Sequence, residues 1–231
     1  MNLMLIGGGQ LIAPSHQFIH QHVFQLTKHA PHIVFLPTAS RDESLYQHQF
    51  RDTYEALGAT VSIVTLFDDE QSKTTQRRLI ERADILYVGG GNYPLLVQTL
   101  TAKGMDVLLK QAVERGTWYV GVSAGAIYAM EYGIRTMENG TDYCLDTGQG
   151  WLSGCLCPHL NQEKREARFQ EHLSQMDHAI GLSDDAAYIQ SQTDHYLIGE
   201  GHALYGRYIM TSHFDACSSP LDERCSNTSG I

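Results

Sequence analysis

Five short apolar runs punctuate the first half of the chain, at Leu3–Ile6, Ile33–Leu36, Val61–Leu66, Ile85–Val88 and Trp118–Val122. They are continuous rather than alternating, and rich in β-branched and aromatic residues. Strands buried on both faces of a parallel sheet read this way. Helical spacing fills the intervals. Phe18, Val23, Phe24 and Leu26 mark a first helix, and Leu45, Phe50, Tyr54 and Leu57 a second that stops at Gly58. Leu79 and Ile80 lie in a third. Leu95, Leu96, Val97 and Leu100 form a fourth ending at Gly104, and Val107, Leu108, Leu109, Ala112 and Val113 a fifth ending at Gly116. Glycine is the residue that most easily takes the left-handed conformation closing a helix. Strand–helix alternation with short connections predicts βαβ units, hence an α/β fold with a doubly wound, mostly parallel sheet and helices on both faces.

The second half is less regular. Glu163–Leu173 reads as a helix, and Ala187–Gln190, Tyr196–Gly199 and Ala203–Tyr208 as short strands forming an antiparallel C-terminal extension. No repeat or linker calls for a second domain. Residues 1–211 are expected to form one α/β domain, and the polar stretch 212–231, with Cys217 and Cys225, a loosely ordered tail.

Composition narrows the function. The 231 residues are 42% hydrophobic and 18% charged, a globular balance. The net charge of −10 argues against nucleic acid and against an anionic membrane surface, both of which require a basic face. No segment has the ~18–20 apolar residues of a membrane span, and the N-terminus lacks the basic start of a signal peptide. The five cysteines are odd in number and confined to the second half, unlike a secreted disulfide framework. A cytoplasmic protein with reduced thiols is expected.

The chemistry concentrates at Gly121-Val122-Ser123-Ala124-Gly125. An apolar strand runs into G-x-S-x-G and continues into helix-compatible Ala126–Met130, the context of a nucleophile elbow. The sharp turn strains the Ser and projects its hydroxyl, and Gly121 and Gly125 keep the neighbouring strands clear. The helix start favours negative charge, and the Ala124 amide is a natural oxyanion donor. Val88-Gly89-Gly90-Gly91-Asn92 ends the preceding strand. Loops at the carboxyl ends of strands form the ligand crevice of such sheets, so Gly90 or Gly91 is the candidate second oxyanion donor. Gly7-Gly8-Gly9 fails the dinucleotide pattern, because position 12 is Ile and no acidic residue follows the next strand. It reads as a tight βα turn. Of the 12 histidines, His16, His20, His22, His29 and His32 fall on or beside the first helix and read mostly as solvated.

The pair G-G-G-N and G-x-S-A-G-A, two helices apart, resembles the S51 family of serine peptidases. This is the aspartyl dipeptidase and cyanophycinase group, whose fold resembles class I glutamine amidotransferases. Gly133-Ile134-Arg135-Thr136, Cys157-Pro158-His159, Glu163-Lys164-Arg165-Glu166-Ala167-Arg168 and Ile180-Gly181-Leu182-Ser183-Asp184-Asp185 resemble further family segments, over roughly residues 1–210. The resemblance implies Ser123 as nucleophile, His159 as base and Asp184 as the acid orienting it, with Asp185 its nearest competitor. Gly90 or Gly91 with Ala124 would form the oxyanion hole, and Arg165 and Asn92 would bind substrate. It implies a small acidic peptide as substrate, no cofactor and no metal, with a homodimer as the candidate assembly. Two departures stand out: Asp occupies the acid position where the family usually has Glu, and Cys157 replaces an Asn.

Other readings compete. Cys144, Cys155, Cys157 and His159 could hold zinc, although C-x-C-x-H lacks the usual spacing. An α/β-hydrolase would order its triad Ser, acid, His, with Asp184 or Asp194 before His195, His202 or His213. A glutamine amidotransferase needs Cys where Ser123 stands. A catalytically silent member of the fold is a further alternative. Arg165 and Arg168 could equally be solvated helix charges.

Overall fold

The computed structural model describes residues 1–68, 71–173, 178–205 and 208–213. The first half contains β1 (Leu3–Ile6), α1 (Gln17–Gln25), β2 (His32–Leu36), α2 (Ser44–Ala56), β3 (Thr60–Ile63) and α3 (Lys73–Arg82). It continues through β4 (Ile85–Val88), α4 (Tyr93–Lys103), α5 (Met105–Glu114), β5 (Trp118–Val122) and α6 (Ala124–Ala129). The second half contains β6 (Met130–Thr136), β7 (Tyr143–Thr147), β8 (Leu152–Pro158), α7 (Glu163–Leu173), β9 (Ala179–Leu182), β10 (Ala186–Gln190), β11 (His195–Tyr205) and β12 (Tyr208–His213).

Among the described residues, seven strands form the main sheet in the order β3-β2-β4-β5-β1-β10-β11, the first five parallel. The expected doubly wound α/β architecture is present. The continuous apolar runs are explained by burial on both faces. Leu3, Leu5, Val34, Leu36, Leu86 and Val88 pack toward α3, α4, α5 and α6. The alternate residues Met4, Ile6, Ile33, Phe35, Ile85 and Tyr87 pack toward α1 and α2, as the two-residue side-chain period requires. Local signals set the helix ends. Ser72 Oγ accepts from the Thr75 amide at the start of α3, and Gly104 closes α4 at φ 69°.

β10 and β11 add the expected antiparallel finish. β11 is longer than its sequence pattern. Its first half pairs with β10, and its second half leaves the main sheet to pair with β9 and β12. There a second group of strands, β9-β8-β6-β7, continues the sheet. The sequence pattern misses these strands because β7 is only half-buried along its length and β6 starts at Met130 directly from α6, with no turn residue between. The third strand run also ends early, at Ile63 rather than Leu66. Residues 214–231, with Cys217 and Cys225 and most of the expected tail, lie outside the described residues. No described helix is long and apolar enough to cross a membrane.

Two histidines of the first helical segment are not solvated. His16 is 2% exposed and His20 is 4% exposed. His20 Nδ1 shares a hydrogen bond with the Tyr54 hydroxyl (3.0 Å) and Nε2 with the Leu11 carbonyl (2.7 Å). Their burial follows from position: both project into the seam between α1, α2 and the β1 turn, where the Tyr54 hydroxyl and the Leu11 carbonyl satisfy the His20 ring. Burial lowers the His20 pKa to about 4. The folded state therefore resists protonation while the unfolded chain titrates near 6.5. Stability is full above about pH 6.5 and falls as pH drops toward 4. Denaturant melts at pH 7 and pH 4.5 should show a loss of about 2–3 kcal/mol in the wild type that His20→Gln largely lacks.

Candidate active site

Five loops meet at one edge of the sheet, each at the carboxyl end of a strand. β5 delivers Ser123, β4 delivers Gly89–Asn92, and β1 delivers Gly7–Gly9. The parallel neighbours β8 and β9 end in register, Cys157 opposite Gly181 and Pro158 opposite Leu182. His159 follows one directly and Asp184 the other by two residues. This is the crevice position of open α/β sheets.

Ser123 sits at φ 50°, ψ −104°, a sparsely populated conformation that costs of order 1–3 kcal/mol. The turn is possible only because its flanks are glycine. A Cβ at Gly121 would lie 2.3 Å from the Gly125 carbonyl oxygen, and one at Gly125 would lie 2.2 Å from that of Val88. The Ser123 amide donates to the Ile6 carbonyl at 2.9 Å, tying the elbow to β1. Ser123 thus occupies a sharp strand-to-helix turn between β5 and α6.

Ser123 Oγ lies 2.8 Å from His159 Nε2, and His159 Nδ1 lies 2.6 Å from Asp184 Oδ1. Asn161 holds Asp184 on both sides: its Nδ2 donates to Oδ2 (3.3 Å), and its Oδ1 accepts from the Asp184 amide (3.1 Å). The hydrogen bond and charge of His159, then Asn161 and Arg165, keep the Asp184 carboxyl below the usual carboxylate range despite partial burial. Asp185 points elsewhere, to His16 Nδ1. Of the two adjacent acids, Asp184 is the one that meets His159. The shorter side chain reaches because the glycines of the β1 turn let the backbones close in: a Cβ at Gly8 would lie 2.2 Å from both His159 Cε1 and Asp184 Oδ1.

The amides expected to hold an oxyanion flank Ser123. A Cβ at Gly90 would lie 3.4 Å from that of Ser123, but the Gly90 amide is directed at the Tyr46 phenol, whose burial pushes it up to about 12. Gly91 takes φ 140°, where a Cβ would strike the Ala39 carbonyl oxygen at 2.3 Å. Among the described residues neither the Gly91 nor the Ala124 amide has an acceptor. Asn92 caps α4, its Oδ1 accepting from the Leu95 amide at 2.8 Å, and borders the cleft with the rest of its exposed side chain.

Ser123 and His159 border two clefts. One, about 500 Å³, is lined by Gly8, Gly9, His16, Glu43, Tyr46 and Gly90 among others. The other, about 440 Å³, is lined by Asn92, Arg135, Thr136, Glu138, Gln162 and Arg165 among others. Arg165 is 3% exposed, which excludes a solvated helix charge. It donates to the Pro158 carbonyl (2.9 Å) and to Thr136 Oγ1, and lies 4.7 Å over the Tyr143 ring. Its Nε has no partner, and among the described residues no carboxylate pairs with it. Arg168 is the solvent-facing cation of α7, paired with Glu171. Two cleft residues lay outside the sequence-based site. Arg135, paired with Asp146, was signalled only by its Ile-Arg-Thr segment. His16 carried no signal, because nothing in its own sequence context places Asp185 beside it.

The competing sites separate in space. Cys155 and Cys157 are buried in a small apolar cluster, and burial pushes Cys155 up to about 12 and Cys157 higher still. Both are held as neutral thiols, whereas zinc requires thiolate, and His159 is committed to Ser123 and Asp184. His195 lines a separate cleft with Trp151 and Asp194. The side chains of His202 and His213 lie outside the described residues.

The profile of Peptidase family S51 matches residues 3–198. The chain is 31% identical over 213 residues to the "Uncharacterized peptidase YgaJ" of Bacillus subtilis, covering 90% of this chain and 91% of that one. It is 28% identical over 212 residues to "Peptidase E" of Shewanella amazonensis, covering 86% and 87%. A solved peptidase from an acI-B1 Actinobacterium superposes with a TM-score of 0.74 over 92% of this chain and 95% of that one, at 19% identity, which bears on the fold alone. With an elbow serine, a facing imidazole and a family profile spanning nearly all the described residues, the chain belongs to peptidase family S51.

Proposed function

We propose that the protein is a serine-type peptidase that cleaves the bond following an aspartyl residue in a small peptide, through an acyl-enzyme. The observation that carries this reading is the unbroken chain Ser123 Oγ, His159, Asp184, with contacts of 2.8 and 2.6 Å. His159 Nε2 takes the Ser123 proton as Oγ attacks the scissile carbonyl. The Gly91 and Ala124 amides receive the oxyanion. His159 then gives the proton to the leaving amine, and water resolves the acyl-enzyme by the same route in reverse. Asp184 fixes the ring with Nδ1–H toward itself, so that Nε2 faces Ser123 as the acceptor.

Arg165 supports the acidic substrate. A guanidinium buried without a carboxylate partner is costly, and a carboxylate entering the second cleft would complete it. The name "Probable alpha-aspartyl dipeptidase" of a Drosophila melanogaster relative, 31% identical over 94 residues, fits the same class.

A fluorophosphonate probe should label the wild type once per chain and leave Ser123→Ala unlabelled. His159→Gln should slow labelling by about a thousandfold. A folded wild type that resists the probe would rule out a serine nucleophile and leave the silent-member reading standing.

Arg165→Ala should lower kcat/KM for Asp-Leu relative to Ala-Leu by about 10–100-fold, the worth of a charge-assisted hydrogen bond. Added salt should change that selectivity little, because the cation is buried. Unchanged selectivity would remove Arg165 from the acidic subsite.

A further inference from the structure

The serine-bearing edge holds a second Asp–His pair. Consecutive residues Asp184 and Asp185 serve different imidazoles: Asp184 meets His159, and Asp185 Oδ1 meets His16 Nδ1 at 2.5 Å. Asp185 takes φ 62°, and this left-handed residue is what turns the second carboxylate away from the first. Both pairs rest against the β1 turn. A Cβ at Gly9 would lie 2.5 Å from Asp185 Oδ1 and 2.7 Å from His16 Nδ1, as one at Gly8 would strike the His159 pair. The glycine run therefore admits two Asp–His pairs side by side, which a plain βα turn does not require.

His16 is 2% exposed yet lines the 500 Å³ cleft together with Ser123 and His159. Its Nδ1 is taken by Asp185, and among the described residues its Nε2 has no hydrogen-bond partner. Its neighbour His20 packs edge-on at 4.9 Å, held between Tyr54 and Leu11, and burial keeps it neutral with a pKa of about 4. Glu43 lines this cleft too, and it is exposed. Arg165 borders only the opposite cleft, so the two ends of a substrate bound across Ser123 meet different chemistry.

We propose that His16 is a specificity residue for the leaving group, its Nε2 donating to the free carboxylate of the residue released from a dipeptide, with Asp185 as its positioning residue. His16 lines the same cleft as Ser123 and His159, and in a dipeptide the C-terminal carboxylate lies one residue beyond the scissile bond, a step of about 3.8 Å between Cα atoms. Both ring nitrogens donate only in the imidazolium form, so the contact requires His16 doubly protonated between Asp185 and the incoming carboxylate. Leu11, Ile12 and Leu45 line the same cleft, and Ile12 and Leu45 are 64% and 59% exposed. They offer apolar contact to the leaving residue's side chain, so the favoured substrate is an aspartyl dipeptide with a free C-terminus and an apolar second residue. The inference rests on the serine-peptidase reading above.

The test compares kcat/KM for Asp-Leu and Asp-Leu-amide. The wild type should favour the free acid by about tenfold or more. His16→Gln should reduce that ratio to less than about threefold, and Asp185→Asn should reduce it in the same direction. Circular dichroism and fluorophosphonate labelling report whether each variant is folded with a reactive Ser123, and if His16→Gln is not, the Asp185→Asn ratio decides. A wild-type ratio near one, or ratios unchanged in the folded variants, overturns the role of His16 and leaves the serine-peptidase reading intact. Labelling without cleavage of either peptide overturns the leaving-group assignment. Absence of labelling removes the underlying reading, and this one with it.

Discussion

The close passage of Leu182–Asp185 across the glycine turn after β1 is the constraint on which the site depends. Gly7 N–H donates to the Ala186 carbonyl, His159 N–H to the Gly7 carbonyl, and Asp185 N–H to the Gly8 carbonyl. A Cβ at Gly7 would lie 2.3 Å from the Ser183 carbonyl oxygen. Any side chain in this turn would force apart the first-half sheet, which carries Ser123, and the second-half strands, which carry His159 and Asp184. The elbow is fastened to the same turn through Ile6. A single seam of backbone contacts thus fixes the distance between Ser123 and His159. It does so with groups that have little freedom to move, which is what preorganisation of a catalytic constellation requires.

The parts legible in the sequence were those written in short-range pattern. Strands buried on both faces left continuous apolar runs, and glycines and Asn92 marked the helix ends. The elbow could be recognised because its strain confines positions 121 and 125 to glycine. What stayed illegible was set by partners distant in the chain. β6 and β7 are the half-polar strands of a hairpin whose place is set by the parallel pairing of β6 with β8. His16 and Asp185 are 169 positions apart, so neither residue type nor spacing could join them. The same holds for Arg165: helix α7 looks solvated by charge content, yet Arg165 and Phe169 on one face are buried where β8 ends, and Tyr143 covers the guanidinium. The choice between Asp184 and Asp185 likewise rested on φ at position 185, which a sequence does not print.

The electrostatics divide by scale. At long range the chain is negative, −10 in formal charge, which gives an anionic ligand no steering. At short range the two clefts beside Ser123 each present a cationic or donor group whose bonding is incomplete: Arg165 with a free Nε on one side, and His16 with a free Nε2 among the described residues on the other. Over the distances of a bound dipeptide, such partly buried groups outweigh screened surface charge, because the local dielectric is lower and salt cannot enter between partners. The negative surface and an acidic ligand are therefore compatible, provided recognition happens after contact rather than during approach.

The doubled acid gives this arrangement its asymmetry. A single carboxylate between β9 and β10 would arm one imidazole and leave the turn free to relax. Two in succession, with the second in the left-handed region, diverge from one backbone point and reach one ring beside Gly8 and another beside Gly9. One ring faces the strained serine, and the other faces the adjoining cleft. Because both carboxylates hang on the same short turn, displacing one displaces the other, so the geometry of proton transfer and that of the neighbouring pocket are mechanically linked. Such coupling costs backbone strain of order 1–3 kcal/mol per left-handed residue. It is sustained by the dense hydrogen bonding of Asn161, Gly8 and Ala186 around it, which holds both Asp–His pairs within one rigid element.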